Sequence, residues 1–426
     1  MPSCSEDFAF RGLIHQVSDP TLPARLDAGG ETVYVGFDPT AASLHMGNLL
    51  QLCSLRRLQL AGHRPIALAG SGTGLVGDPG GKTEERPLIS RAELDANLEG
   101  IRPQLARFLD FSPGSACAAV VVDNGDWLCE LSFVDFLRDV GRHFTVNQMV
   151  AKESVRARFE RPDQGISFTE FSYMLMQAYD FLHLFDAFGC RVQMGASDQW
   201  GNITMGVELI RKVRGETAYA LTSPLVTKPD GTKFGKTEAG ALYLDAAKTS
   251  PYALYQYFIQ VEDSVVGAYL RYFTFLSHDE IGALDEATAQ RPQSREAQRS
   301  LARAVCTLVH GETETARAER AAGALFSEEV AALDEATLLE VFADAPSSAM
   351  ARAALDGAGL DLVEALAASG LVTSKSSART ALGQGGAYVN NRRVGPDARL
   401  TTADLIAGRY VVLRRGRRHH HLLRFG

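Results

Sequence analysis

The stretch Val33–Asn48, VYVGFDPTAASLHMGN, decides how the rest of the chain is read. Its first half alternates like a β-strand, with Val33, Val35 and Phe37 on one face and Tyr34, Gly36 and Asp38 on the other. Pro39 and Thr40 break that strand. Ser43 is the expected N-cap of a helix running from Leu44 to about Ala61. His45 and Asn48, three residues apart, face the same way from its first turn. A strand, a turn and a helix N-terminus with a polar pair suit a polyphosphate, because free backbone N–H groups and the helix dipole favour negative charge there.

Working outward, Gly62-His63 ends the helix and Pro65–Ala69 reads as a buried strand. Strand, helix, strand in that order implies a parallel βαβ unit, so the expected fold is α/β with a doubly wound, Rossmann-like sheet. Ala118–Asp123 is a third apolar run, with Asn124, Asp126 and Trp127 at its end, where ligand crevices form; Trp127 is expected to pack. Gly72-x-Gly74-x-x-Gly77 matches the dinucleotide fingerprint in letters. It follows the second strand instead of the first, and Asp78-Pro79-Gly80-Gly81-Lys82 behind it is turn chemistry. A P-loop fails as well, because Gly81-Lys82-Thr83 requires glycine where Val76 stands.

Ser167-x-x-Glu170 is a capping box, and the helix it opens aligns Tyr173, Gln177 and Asp180 in one stripe. Buried polar side chains in a stripe require partners. Arg191–Gly195 reads as a short strand, and Ser197-Asp198-Gln199 as a helix opening. Leu225–Thr227 is the next expected strand, followed by a turn at Lys228–Gly231. Then comes Lys233-Phe234-Gly235-Lys236-Thr237, two lysines flanking a glycine, which fits a flexible cationic lid.

Four hundred and twenty-six residues suffice for two or three domains. No run of about 18 apolar residues predicts a membrane span, and the mixed, acidic start MPSCSEDFAFRG does not read as a secretory signal. The six cysteines lie scattered without a C-x-x-C pair, which fits free thiols in a cytoplasmic protein and no metal site. Charge is uneven: residues 371–426 hold eleven Lys+Arg against two Asp+Glu, on a chain of net −8. A basic end on an acidic body points to a nucleic-acid contact.

Residues 131–160 read as helical, and 248–350 as a helix-rich region ending in a linker at Ala345-Pro346-Ser347-Ser348. From about 357 a smaller α+β unit is expected. It has helices at Asp361–Ala368 and from Ser374, a strand–turn–strand at Gly385–Val394 and a basic hairpin at Tyr410–Phe425. His419, His420 and His421 alternate faces along that hairpin, so a surface is expected there and not a shared metal site.

Three strings carry a family resemblance. His45-Met46-Gly47-Asn48 resembles the HIGH signature of class I aminoacyl-tRNA synthetases, with Asn48 in place of the last histidine. Lys233–Thr237 resembles their KMSKS loop. Phe171–Asp180 and Gly195–Asn202 resemble the tyrosine-specific branch in its bacterial form. The resemblance covers almost the whole chain. It implies that ATP is a substrate, with Mg2+, and that no cofactor is tightly bound. The implied reaction forms tyrosyl-adenylate and then charges the tRNA for tyrosine.

On the same resemblance, Tyr34 and Asp180 hydrogen-bond the phenolic hydroxyl. Tyr173, Gln177 and Asp78 hold the α-ammonium, and Gln193 and Gln199 border the carboxylate. Gly36, Asp38, Gly47 and Asp198 line the ATP site, with Asp198 on the ribose. Thr40, His45 and Asn48 act on the phosphates, while Lys82, Arg86, Lys233, Lys236 and Thr237 clamp the departing pyrophosphate. Lys375, Arg379, Arg392 and Arg393 contact RNA phosphates. The implied domains are a catalytic domain at 1–247, a helical anticodon-side domain at 248–350 and a small RNA-binding domain at 357–426. The implied assembly is a homodimer, to which residues 131–160 contribute.

Three rival readings remain at this stage. A dinucleotide-dependent oxidoreductase rests on the glycine fingerprint. A non-catalytic RNA-binding regulator would need a degenerate site. A synthetase for another aromatic amino acid would turn on Tyr34 and Asp180.

Overall fold

The computed structural model describes residues 2–78, 89–152, 155–156, 165–232, 234–237, 240–324, 327–343, 345–416 and 419–426. They form two compact units: Met1–Ser250 with Phe258–Val309, and Pro251–Tyr257 with His310–Gly426.

The first unit is built on a six-stranded sheet. Its strands are β1 (Gln16–Val17), β2 (Thr32–Phe37), β3 (Arg64–Ala69), β4 (Val120–Asp123), β5 (Val192–Ala196) and β6 (Tyr219–Ser223). Their spatial order is β1-β6-β5-β2-β3-β4, all parallel except β1, which runs antiparallel at the edge. Strands covered on both faces read as continuous apolar runs, as RPIALA of β3 does. The order runs outward from β2 to β3 and β4 on one side and from β5 to β6 on the other. The switch point therefore lies between β2 and β5. These two pair only at Val33↔Val192 and Tyr34↔Gln193, and their C-terminal ends part beyond that, opening the crevice such sheets use for ligands.

The helix after β2 spans Met46–Leu60, two residues later than expected, with His45 as its N-cap. Ser43 is not the cap. Its hydroxyl donates to Leu44 O at 2.8 Å and accepts from Asp245 N at 3.2 Å, which ties the approach segment to a later loop. The backbone N–H of His45 instead donates to Asn48 Oδ1 at 3.1 Å. The helix Phe168–Phe188 begins as expected, with Ser167 accepting from Glu170 N, and ends at Gly189 with φ 64°. The expected strand at Leu225–Thr227 lies earlier, in β6. Pro224, which has no N–H to offer a ladder, follows Ser223 directly.

The helical stretch 248–350, expected as one domain, falls partly in each unit: Phe258–Val309 in the first, Pro251–Tyr257 and the residues from His310 in the second. The cause is visible in two buried arginines. Arg57 donates to Tyr272 O at 3.0 Å and Arg11 to Leu276 O at 2.8 Å, satisfying carbonyls at and just beyond the end of the helix Asp263–Phe273.

In the second unit, five strands lie in the order Arg392–Arg393, Ala387–Val389, Tyr410–Arg415, His419–Phe425, Ser347–Met350. The helices Leu362–Ala368 and Lys375–Gly383 are capped by Asp361 and Ser374. Asn390 and Asn391 take φ of 47° and 61° between the first two of those strands, the paired left-handed conformation of a two-residue hairpin turn. Two expectations fail here for one reason. Ser347 and Ser348 belong to a strand and not to a linker, and that strand pairs in parallel with Leu422–Phe425. It covers the hairpin edge, so His421 is buried, its Nε2 2.9 Å from Ser348 Oγ, and does not lie on a surface. Among the described residues no helix is long and apolar enough to cross a membrane.

Candidate active site

The parting of β2 and β5 leaves a cavity of about 470 Å3 in the first unit. Fourteen of the expected site residues line it: Tyr34, Gly36, Asp38, Thr40, His45, Gly47, Asn48, Asp78, Tyr173, Gln177, Asp180, Gln193, Asp198 and Gln199. They come from β2 and the turn after it, from the start of the helix Met46–Leu60, from the segment after the short helix Ser71–Gly74 (Asp78), from the stripe on Phe168–Phe188, and from β5 and the turn behind it.

At the closed end sit Tyr34 and Asp180, each 1 % exposed. The Tyr34 ring meets Phe181 edge-on at 5.3 Å, and its buried hydroxyl has no partner among the described residues. Burial, with the Asp180 charge second, pushes its pKa well above the usual value, so the hydroxyl keeps its proton. Asp180 is held on both oxygens: Asn124 Nδ2 donates to Oδ2 at 2.9 Å and Trp127 Nε1 to Oδ1 at 2.8 Å. Burial outweighs these two bonds and pushes the carboxyl up to about 7.

Asn124 is fixed in turn. Its Oδ1 accepts from Gly72 N at 2.8 Å, and its Nδ2 also donates to Thr73 Oγ1 at 3.0 Å. A Cβ on Gly72 would meet the Leu128 side chain at 3.1 Å and Asn124 O at 3.2 Å. The glycine fingerprint thus supports the carboxylate of the pocket. Trp127, expected only to pack, is one of the two donors on Asp180. Sequence reasoning missed both donors, which lie more than fifty positions from Asp180; their place after a strand end was the available signal.

Further along, acceptors converge. Gln199 Nε2 donates to Asp78 Oδ2 at 2.6 Å, and Gln177 Nε2 to Gln199 Oε1 at 3.3 Å. The Oε1 atoms of Gln177 and Gln193 are buried without a partner among the described residues. A carboxylate and amide oxygens facing one space suit a cation with several protons.

At the open end lie Thr40, His45 and Gly47, all exposed, and Asn48, half-buried. A Cβ on Gly47 would sit 2.8 Å from His45 Cε1, so the glycine leaves the ring its place. The lysine-bearing loop is joined to this end by backbone bonds. Met46 N donates to Leu242 O at 2.9 Å, Leu242 N to Gly235 O at 2.9 Å and Leu244 N to Leu44 O at 2.8 Å. Gly235 has φ +76°, and a side chain there would collide with Met46 Cβ. Phe234 anchors the loop, stacked on Phe273 at 4.8 Å and edge-on to Tyr269 at 5.0 Å. Lys236 and Thr237 form a two-residue strand with Gly240–Ala241. Lys82, Arg86 and Lys233 lie outside the described residues.

The four expected RNA contacts are exposed on the second unit. Lys375 pairs with Glu364 at 2.6 Å and Arg392 with Asp404 at 2.9 Å, while Arg393 donates to Gln384 O at 3.2 Å.

The comparisons agree with this geometry. The profile of class I tRNA synthetases (W and Y) matches residues 29–327, and that of the tyrosine–tRNA ligase C-terminal domain matches residues 338–423. The tyrosine–tRNA ligase of Roseiflexus castenholzii is 53% identical over 425 residues, covering 100% of both chains. That of Opitutus terrae is 51% identical over 98% of this chain and 99% of its own. A C-terminally truncated mitochondrial tyrosyl-tRNA synthetase from Aspergillus nidulans superimposes with a TM-score of 0.68 at 32% identity, over 76% of this chain and 95% of its own. The chain belongs to the class I aminoacyl-tRNA synthetases. Within that class it falls among the tyrosine–tRNA ligases.

Proposed function

We propose that this member of the tyrosine–tRNA ligases activates L-tyrosine with ATP in the cavity between β2 and β5 and then transfers it to the terminal ribose of its tRNA. The observation that carries the pocket assignment is the closed end. A protonated Tyr34 hydroxyl, unpartnered among the described residues, and a doubly held Asp180 carboxylate can each take one more polar group there. A phenolic hydroxyl supplies it, donating to Asp180 and accepting from Tyr34. Phenylalanine would leave both buried groups unmatched. Discrimination of about five orders of magnitude by such a site is a figure known for tyrosyl-tRNA synthetases themselves and is not obtained for this chain.

The α-ammonium then falls among Asp78, Tyr173 and Gln177, and the carboxylate between Gln193 and Gln199. ATP enters as its magnesium complex, the ion belonging to the substrate, with its ribose at Asp198 beside Gly36, Asp38 and Gly47. The tyrosine carboxylate, already ionised, attacks the α-phosphorus; the bond to the bridging oxygen breaks and pyrophosphate leaves. No protein nucleophile is needed, so the chain supplies position and charge. Thr40, His45 and Asn48 act from the helix end. Lys82, Arg86, Lys233 and Lys236 clamp the departing pyrophosphate with positive charge, and Thr237 with its hydroxyl. In the second step a ribose hydroxyl of the tRNA attacks the tyrosyl carbonyl and AMP leaves. The helical part of the chain and the basic C-terminal unit bind that RNA, with Arg379 and Arg393 on its phosphates.

A homodimer is part of the proposal. Phe133, Val134, Leu137, Val146 and Phe168 are large apolar side chains left 43–70 % exposed, a surface that calls for cover. Sedimentation at the monomer mass would contradict it. The pocket assignment is tested by Tyr34→Phe in amino-acid-dependent pyrophosphate exchange. Losing one hydrogen bond should cut the tyrosine-over-phenylalanine preference about tenfold, and an unchanged preference would remove Tyr34 from recognition.

A further inference from the structure

We propose that His183 is a positioning residue for tyrosine recognition: stacked on Trp127, it fixes the indole whose N–H holds Asp180. The proposal rests on the assignment of the phenolic hydroxyl to Asp180.

Trp127 belongs to Gly125–Leu128, a helix of four residues. One turn makes too few backbone bonds to hold a large side chain by itself. The His183 ring lies against the indole, with centroids 4.1 Å apart and planes 16° from parallel. His183 follows Asp180 by three positions on Phe168–Phe188, so both side chains rise from one helix face. The indole spans the pair, its N–H on Asp180 Oδ1 at 2.8 Å and its flat face on His183. Helix geometry thereby sets both the acceptor and the platform that aims the donor at it. Without the platform the indole gains torsional freedom, and Asp180, buried, keeps only the Asn124 donor.

His183 does not line the cavity and reaches neither substrate directly. Its effect must therefore pass through Asp180, which serves the tyrosine hydroxyl and not ATP. That separation makes the role measurable. In pyrophosphate exchange with the full-length enzyme, His183→Ala should raise KM for tyrosine about tenfold, the loss expected for one hydrogen bond. The tyrosine-over-phenylalanine ratio of kcat/KM should fall by a similar factor, while KM for ATP stays put. His183→Phe, which keeps a flat ring for the stack, should retain both tyrosine parameters within about twofold of the parent.

Three outcomes overturn the proposal: no change in His183→Ala, equal loss in His183→Phe, or an equal shift in KM for ATP, which marks general damage. Asp180→Asn, run alongside, separates the two levels. If discrimination survives that change, the hydroxyl assignment itself fails. If it collapses there while His183→Ala discriminates like the parent, only the positioning role fails.

Discussion

The chemistry of Asp180, the proposed acceptor for the tyrosine hydroxyl, is set by burial. Its pKa, pushed up to about 7, lies above the ordinary carboxylate value it takes in the unfolded chain. A group raised in this way contributes stability below its unfolded pKa, and that contribution is lost as pH rises through about 7. Above that pH Asp180 is a buried charge with two donors, and in the proposed complex the tyrosine hydroxyl adds a third. KM for tyrosine should therefore fall as pH rises through about 7, while Asp180→Asn should show a flat profile. A parent enzyme with the same flat profile would contradict the ionisation.

The stripe Tyr173, Gln177, Asp180 was legible from helical spacing, and its pairing with Tyr34 from the family resemblance. The donors that hold Asp180 were not. Asn124 and Trp127 reach it through a strand pairing that no local pattern encodes.

Among the elements, the two signature segments matter most, and they are joined through backbone. The sequence announced each separately, one as a strand–turn–helix and the other as a lysine–glycine loop. Their contact through Gly235 and Met46 depends on residues 242–244 running beside 44–46. Gly235→Ala forces a side chain into left-handed backbone and against Met46. Pyrophosphate exchange should drop about tenfold or more, with tyrosine affinity nearly kept, if the loop acts on the departing phosphates as proposed. Full activity in that variant would show that the loop does not depend on this seat. The short strand Ser347–Met350 shows the opposite limit of sequence reading. Four residues of weak strand character became a strand only through a partner more than seventy positions away.

At the scale of the molecule, charge and chemistry are segregated. The first unit carries the cavity; the basic excess is confined to residues 371–426, the last part of the second unit. The composition shift revealed that basic end, and the α/β order revealed the sheet. The boundary near Val309 was hidden, because the helices before and after it look alike in sequence. If the basic unit holds RNA, the double variant Arg379→Ala, Arg393→Ala should raise KM for tRNA about tenfold. It should also flatten the salt dependence by somewhat under one unit of slope per lost phosphate contact, and leave tyrosine activation unchanged. Equal charging by the variant would take those arginines out of the interface.

The most direct check of the activation chemistry is exchange of labelled pyrophosphate into ATP, measured in parallel with tyrosine, phenylalanine and tryptophan. Exchange with tyrosine and essentially none with the other two is the predicted result. Comparable exchange with phenylalanine or tryptophan would contradict the Tyr34 and Asp180 pocket, and no exchange with any of the three would contradict the activation chemistry itself.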